Sequence, residues 1–309
     1  MFTRMKTQKR LNMNIGYYTL GSGTYKLSAS PANISISYYL YIASGSTVTI
    51  DLNGQTLSRG RASAGSNGFV IQNDGTLVIQ DSGTGGTIGS ITGGFNSGSG
   101  GGIYNNGNLT ITGGSITGNR ATVAGAGVYN TSEATFNVSG KVDITGNTQS
   151  NKASNVYLPS NKKINIIGNL DANTRIGVTM NAGTGLFTYG LSSSLTSHYT
   201  GSYTNFTSDV SSTTDVKMMA EGQEASLVSN WEHIQDLIDH APNYDANNPS
   251  ATALTIQLES GKTYTALSTN SNLNIPSGKN ITIDLNGQTL DRGLNDQAYA
   301  TNGNVFTKV

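Results

Sequence analysis

Apolar and polar residues alternate over short stretches along most of the chain, as in Asn108-Leu109-Thr110-Ile111-Thr112, Thr135-Phe136-Asn137-Val138-Ser139 and the run from Gly75 to Gln80. Alternation with period two sends successive side chains to opposite faces, so each stretch predicts a short half-buried strand. The Gly, Asn and Ser clusters between them predict turns. Helical spacing occurs at one place. Ser229-Asn230-Trp231-Glu232 has the form of a capping box and leads into Trp231, Ile234, Leu237 and Ile238 on one stripe, with Pro242 ending the helix.

The strands recur at two scales. Val48-Thr49-Ile50-Asp51-Leu52-Asn53-Gly54-Gln55-Thr56-Leu57-Ser58-Arg59-Gly60 returns as Ile281-Thr282-Ile283-Asp284-Leu285-Asn286-Gly287-Gln288-Thr289-Leu290-Asp291-Arg292-Gly293, with 11 of 13 positions identical. Upstream, Gly23-Thr24-Tyr25 resembles Lys262-Thr263-Tyr264 if the first copy is granted about six extra residues; downstream, Asn67-Gly68-Phe69-Val70 has a counterpart in Asn302-Gly303-Asn304-Val305-Phe306. Within the first copy, Gly101-Gly102-Ile103-Tyr104-Asn105 is echoed at Ala126-Gly127-Val128-Tyr129-Asn130 and more faintly at Ser154-Asn155-Val156-Tyr157-Leu158, and Ile116-Thr117-Gly118-Asn119 returns as Ile144-Thr145-Gly146-Asn147.

A unit of roughly 20–30 residues holding two or three short strands and no helix predicts a parallel β-solenoid. One coil cannot bury its own apolar row, so coils stack. Glycines suit corners that need φ > 0, and Asn119 and Asn147 are placed to stack their amides along the axis, with the left-handed region open to them. The fold expected is all-β: residues 1–14 an N-terminal segment without regular structure, 15–228 a first parallel β-helix with its closing coils, and 229–309 a capping helix and the start of a second, incomplete β-helix. The helix Ser229–His240 is read as the lid on that second solenoid. Trp231, on its apolar stripe, is read as core rather than as a platform for sugars.

Composition narrows the function classes. Eighteen basic and eighteen acidic residues leave no net charge and no basic stripe, against nucleic acid as partner. There is no cysteine, which removes disulfide scaffolds and thiol chemistry. No apolar run approaches the roughly 18 residues that span a bilayer. The basic start, with Arg4, Lys6, Lys9 and Arg10, lacks the apolar run of a secretory signal.

Candidate chemistry is sparse. A glycosidase needs two carboxylates across a groove, and a lyase needs a carboxylate cluster for Ca²⁺ with a base; Asp74, Asp81 and Asp143 are isolated in sequence. Asp51 and Asp284, once per motif, read as corner residues accepting hydrogen bonds, with Arg59 and Arg292 as ion-pair partners. His198, His233 and His240 lack metal-ligand spacing. The glycine runs at 83–86 and 98–102 carry no following Lys-Ser/Thr and read as corners, not phosphate loops. No catalytic residue, metal site or cofactor is expected. Two tyrosine groups are candidate ligand surfaces, Tyr38, Tyr39 and Tyr41 on an early coil and Tyr189, Tyr199 and Tyr203 near the end of the first solenoid. Threonine rows such as Thr110 and Thr112 with Thr135 raise the idea of an ice-binding face, but they are irregular and broken by Asn137 and Asp143, which argues against it.

The segment Gly100-Gly101-Gly102-Ile103-Tyr104-Asn105-Asn106-Gly107-Asn108-Leu109-Thr110-Ile111-Thr112-Gly113-Gly114-Ser115-Ile116-Thr117-Gly118-Asn119 resembles the repeat of bacterial adhesin-like surface proteins with right-handed parallel β-helix domains, of the pectate-lyase-like superfamily. Asn155-Val156-Tyr157-Leu158-Pro159 and Ile176-Gly177-Val178-Thr179 resemble the last coils of such a domain, and the Trp231 helix leading into the second motif resembles the start of the next. The resemblance implies a secreted or cell-surface module in a longer multi-domain chain. The glycine corners, the repeat and the missing carboxylate cluster add the expectation of a non-enzymatic stalk or adhesive module, with glycans or host and microbial surface proteins as partners. The resemblance carries no catalytic residue over. A polysaccharide-active enzyme and a purely structural spacer are the alternatives.

Overall fold

The computed structural model describes residues 2–4, 12–14, 16–28, 33–191, 205–218, 224–250, 252–266, 272–292 and 305–308. They divide into two compact units, Met1–Asp209 with Met218–Ser226, and Val210–Lys217 with Leu227–Val309. Among the described residues the regular structure is β apart from one helix, and the strands of the first unit stack in parallel as a β-solenoid.

Three main columns of strands build the first unit, with a shorter fourth of Phe95–Asn96, Arg120–Ala121 and Thr148–Gln149. The first column stacks Tyr17–Thr19, Tyr39–Ile42, Ile71–Asn73, Ile103–Asn105, Val128–Asn130, Val156–Leu158, the second half of Arg175–Met180, and Phe206–Ser208. Gly23–Leu27 starts the second column and Asn33–Ser35 the third. Two long strands, Asn108–Ile116 and Thr135–Ile144, run through a corner and serve both columns. At that corner the register shifts beyond Ile111, and Gly114 sits at φ +98, a conformation that a Cβ would strain.

Register places like on like. Leu40, Ile71, Ile103, Val128, Val156 and Val178 form one inward row, and Val48, Leu77, Leu109, Phe136 and Ile164 another, all 2% exposed or less. Each buried side chain contributes about 1.5–3 kcal/mol that it would forfeit on an isolated coil.

Polar groups inside the stack satisfy one another. The expected amide ladder is present: Asn119 Nδ2 donates to Asn147 Oδ1 at 3.0 Å, and Asn147 Nδ2 to Asn155 Oδ1 at 3.0 Å. The left-handed residues of those corners, however, are Gly118 (φ 66) and Gly146 (φ 67), not the asparagines. A second ladder, Asn73 to Asn105 to Asn130, runs at 2.8 and 2.9 Å. Asp209 ends the first ladder, taking Asn155 Nδ2 and its backbone N–H at 2.6 Å each. Burial pushes the Asp209 carboxyl above its ordinary value, against the hydrogen bonds from Asn155 and Thr179.

Residues 2–4 and 12–14, read from sequence as lacking regular structure, form short antiparallel strands on Gly23–Leu27 and Tyr17–Thr19. In the second unit, α1 (Asn230–His240) carries the capping box: Ser229 Oγ accepts Glu232 N–H at 3.1 Å, and Glu232 Oε2 accepts Ser229 N–H at 2.9 Å. Trp231, Ile234 and Ile238 pack with Ile256, Leu258, Tyr264 and Leu273 in one core, so the helix closes one end of the second set of coils. Trp231 is 2% exposed, which takes it out of the running as a sugar platform.

The two motif copies fold alike. Leu40 N–H donates to Val70 O and Leu273 N–H to Val305 O, both at 2.9 Å, so the downstream alignment holds there; residues 302–304 lie outside the described residues. The upstream alignment needs correcting. Gly23 pairs with Val48, whereas Leu254 pairs with Ile281, so Leu254–Gln257 is the equivalent of Gly23–Lys26. Tyr264 pairs with Leu290, in the column where Ile34 pairs with Leu57.

Candidate functional site

The first column presents one outward row in continuous register, from Thr19 through Tyr41, Gln72, Tyr104, Tyr129 and Tyr157 to Thr179. Its tyrosines follow from a triplet. In Ile103-Tyr104-Asn105 and Val128-Tyr129-Asn130 the first residue enters the apolar core and the third enters an amide ladder, which leaves the middle ring outside. Parallel coils bring neighbours to about 4.8 Å. The rings accordingly stack: Tyr104 on Tyr129 at 5.4 Å and 25°, Tyr129 on Tyr157 at 5.1 Å and 10°.

All three rings are half-buried, so one face or edge of each meets solvent. Burial pushes the Tyr104 and Tyr157 hydroxyls above the ordinary phenol range, with Tyr129 adding to both. They stay neutral, able to donate as well as accept. Tyr157 donates to Asn181 Oδ1 at 2.9 Å.

A groove of about 460 Å³ adjoins the row, lined by Phe69, Gln72 and Tyr104 together with Ser66, Asn67, Asn96, Ser97, Gly98 and Ser99. Phe69 continues the aromatic line between Tyr104, at 5.8 Å, and Tyr39, at 4.8 Å. The loop carrying Asn67 and Phe69 is held by Arg59, whose guanidinium donates to Asn67 O and to Phe69 O and lies over the Tyr39 ring at 5.7 Å. Burial, then Arg61, brings the Arg59 pKa down to about 10, which still leaves it charged at neutral pH. Arg59 therefore does not serve as the partner of Asp51 expected from sequence.

Asp51 accepts Asn53 N–H at 3.0 Å and the Ser82 N–H and hydroxyl at 3.0 and 2.7 Å, with Lys26 at 3.7 Å. Burial opposes its ionisation, but these donors outweigh that and hold its carboxyl below the ordinary range. It is a corner residue, as is Asp81, whose oxygens accept N–H groups of Gly54, Gly83 and Gly89. Asp81 also lines a smaller groove of about 230 Å³ with Lys141, Thr87, Ile88 and Thr112. Asp143 accepts the Thr145 hydroxyl at 2.7 Å. Among the described residues, no three His, Asp or Glu side chains are placed to hold a metal ion.

The tyrosines singled out from sequence fall in different places. Tyr38 is 39% exposed, edge-on to Tyr18, and Tyr41 belongs to the outward row. Tyr39 is 7% exposed and packs against Phe69 and Tyr17, so it is an internal contact rather than a surface. Tyr189 is 66% exposed; Tyr199 and Tyr203 lie outside the described residues. The threonine row does not form, because Thr110 pairs with Asn137 and Thr135 with Asn108. Sequence reasoning passed over Tyr104, Tyr129 and Tyr157 as a surface. The signal was the repeat itself, which sets tyrosine at the same outward position three times.

The fold and this face define a parallel β-solenoid with an aromatic row on one side. No protein-family model, curated protein or solved structure matches the chain.

Proposed function

We propose that this chain is a non-enzymatic, secreted or cell-surface module of the adhesin-like type, an extended stalk that binds glycans along the row Tyr104-Tyr129-Tyr157 and the groove beside it. The observation that carries the reading is the junction of stacked phenol rings with a groove lined by amides and hydroxyls. Sugar rings offer apolar C–H faces that pack on aromatic rings and hydroxyls that exchange hydrogen bonds with amides and serines.

The test is a glycan array probed with the chain and with Tyr129→Ala. Binding that is selective for particular glycans and lost in the variant supports the reading. A second arm incubates the chain with pectins and other polyuronates and Ca²⁺. Unsaturated uronate products that disappear in Lys141→Ala would replace the adhesin reading by a lyase working in the Asp81–Lys141 groove. Silence on glycan and protein arrays alike would leave a spacer.

A further inference from the structure

The duplicated motif builds the same corner twice, but among the described residues only the first copy has its outer face covered. Asn53 and Asn286 both adopt the left-handed region, at φ 51 and 44, ahead of Gly54 and Gly287 at φ 71 and 73. Asn53 Nδ2 donates to Leu27 O and Asn286 Nδ2 to Leu258 O, both at 3.0 Å. Their N–H groups meet Asp51 and Asp284 at 3.0 and 2.9 Å.

In the first copy a further coil lies on this corner. Thr76–Gln80 pairs in parallel with Thr47–Asp51, Leu77 over Val48 and Ile79 over Ile50. Gln80 O accepts Leu52 N–H at 2.8 Å, Ser82 gives two hydrogen bonds to Asp51, and Asp81 accepts Gly54 N–H at 2.6 Å. Under that coil Val48, Ile50 and Leu52 are fully buried.

In the second copy the strand Asn280–Asp284 has Ala253–Gln257 as its sole neighbour among the described residues. Ile281 and Ile283 are half-buried, Asp284 is exposed, and Leu285 is 47% exposed. An open strand edge above a row of Ile side chains is a template for one more strand.

We infer that this face of the second unit is a docking site for one further polypeptide coil of the same repeat, with residue chemistry like that of 75–92: two apolar inward positions, then Asp-Ser-Gly, then Ser-Ile-Thr. The apolar pair covers Ile281 and Ile283, the serine meets Asp284, and the aspartate accepts Gly287 N–H. Chemistry at the corner, beyond bare edge pairing, selects the partner.

Because Phe306–Lys308 takes the place of Ile71–Asn73, with Phe306 paired to Leu273 as Ile71 is to Leu40, a chimaera in which residues 75–92 follow Val309 continues in register. Amide hydrogen exchange of that chimaera is compared with the unmodified chain and with a second chimaera carrying L77N, I79N and D81N in the appended segment. The inference predicts that the N–H groups of 280–285 slow by roughly tenfold or more in the first chimaera alone, the change that about 1.4 kcal/mol of added protection gives. The same segment as a free peptide should bind one per chain and compete with nothing else. Equal protection in the two chimaeras, or none in either, overturns the inference. So does concentration-dependent self-association of the unmodified chain that already protects 280–285, because it assigns the face to a second copy.

Discussion

The buried asparagines decide more than their number suggests. Asn105, fully buried, gives its amide to Asn130 and to Thr135 O and receives Asn73. Asn105→Leu leaves those partners unpaired inside the stack and is expected to cost about 2–3 kcal/mol in chemical denaturation of the first unit, while Asn108→Ala at the exposed start of strand Asn108–Ile116 costs under about 0.5 kcal/mol. Asp209 predicts a pH dependence. Its folded pKa is raised above 3.8 by burial, so the folded state holds the proton more tightly than the unfolded chain. Its contribution is fully present below 3.8 and is lost as pH rises through the folded value. Asp209→Asn should flatten that fall in a pH series of denaturation midpoints; an unchanged slope contradicts it. The Asn119–Asn147 ladder was legible because the tetrapeptide Ile-Thr-Gly-Asn repeats. The Asn73–Asn105–Asn130 ladder was hidden, since a polar residue at an inward position reads as a break in the apolar row, and the column continues at Leu158.

At the scale of elements, the strands and the helix were open to reading because their periods are local properties of the chain. The capping box fixes where α1 begins, and the apolar stripe fixes what it buries. Ser229→Ala removes one arm of the box and is expected to cost about 1 kcal/mol; Trp231→Ala empties the core under the helix and costs about 3–5 kcal/mol. Since Trp231 is the chain's sole tryptophan, its fluorescence during denaturation follows the second unit and measures the Ser229→Ala change directly. Corner lengths were not legible. Gly-Thr-Tyr and Lys-Thr-Tyr look alike, yet Tyr25 faces Ile50 while Tyr264 faces Leu290, because a period-two strand records which face a residue takes but not which column it joins. Register within a column is likewise set by the stack: Thr135 lies two residues before Asn137, the partner of Thr110, so the threonines do not line up.

For the whole molecule, eight stacked strands in one column turn a repeated tripeptide into a surface, since a residue that recurs once per coil recurs every few ångströms along the stack. The aromatic row exists only at this scale. Sequence showed a tyrosine in each repeat, but clustering along the chain drew attention to Tyr38, Tyr39 and Tyr41; Tyr38 precedes the strand, and Tyr39, on the same face as Tyr41, is buried under Phe69 and Tyr17. Stacked rings stiffen the row, and a rigid platform loses little entropy when a sugar settles on it. The most direct measurement is calorimetric titration of the strongest array glycan into the chain, Tyr129→Ala, Tyr129→Phe and Tyr189→Ala. The account predicts that Tyr129→Ala weakens binding by roughly tenfold or more, as loss of about 1.4 kcal/mol or more of stacking requires, while Tyr129→Phe and Tyr189→Ala stay near the parent. Unchanged affinity in Tyr129→Ala, or equal losses in Tyr129→Ala and Tyr189→Ala, would contradict it.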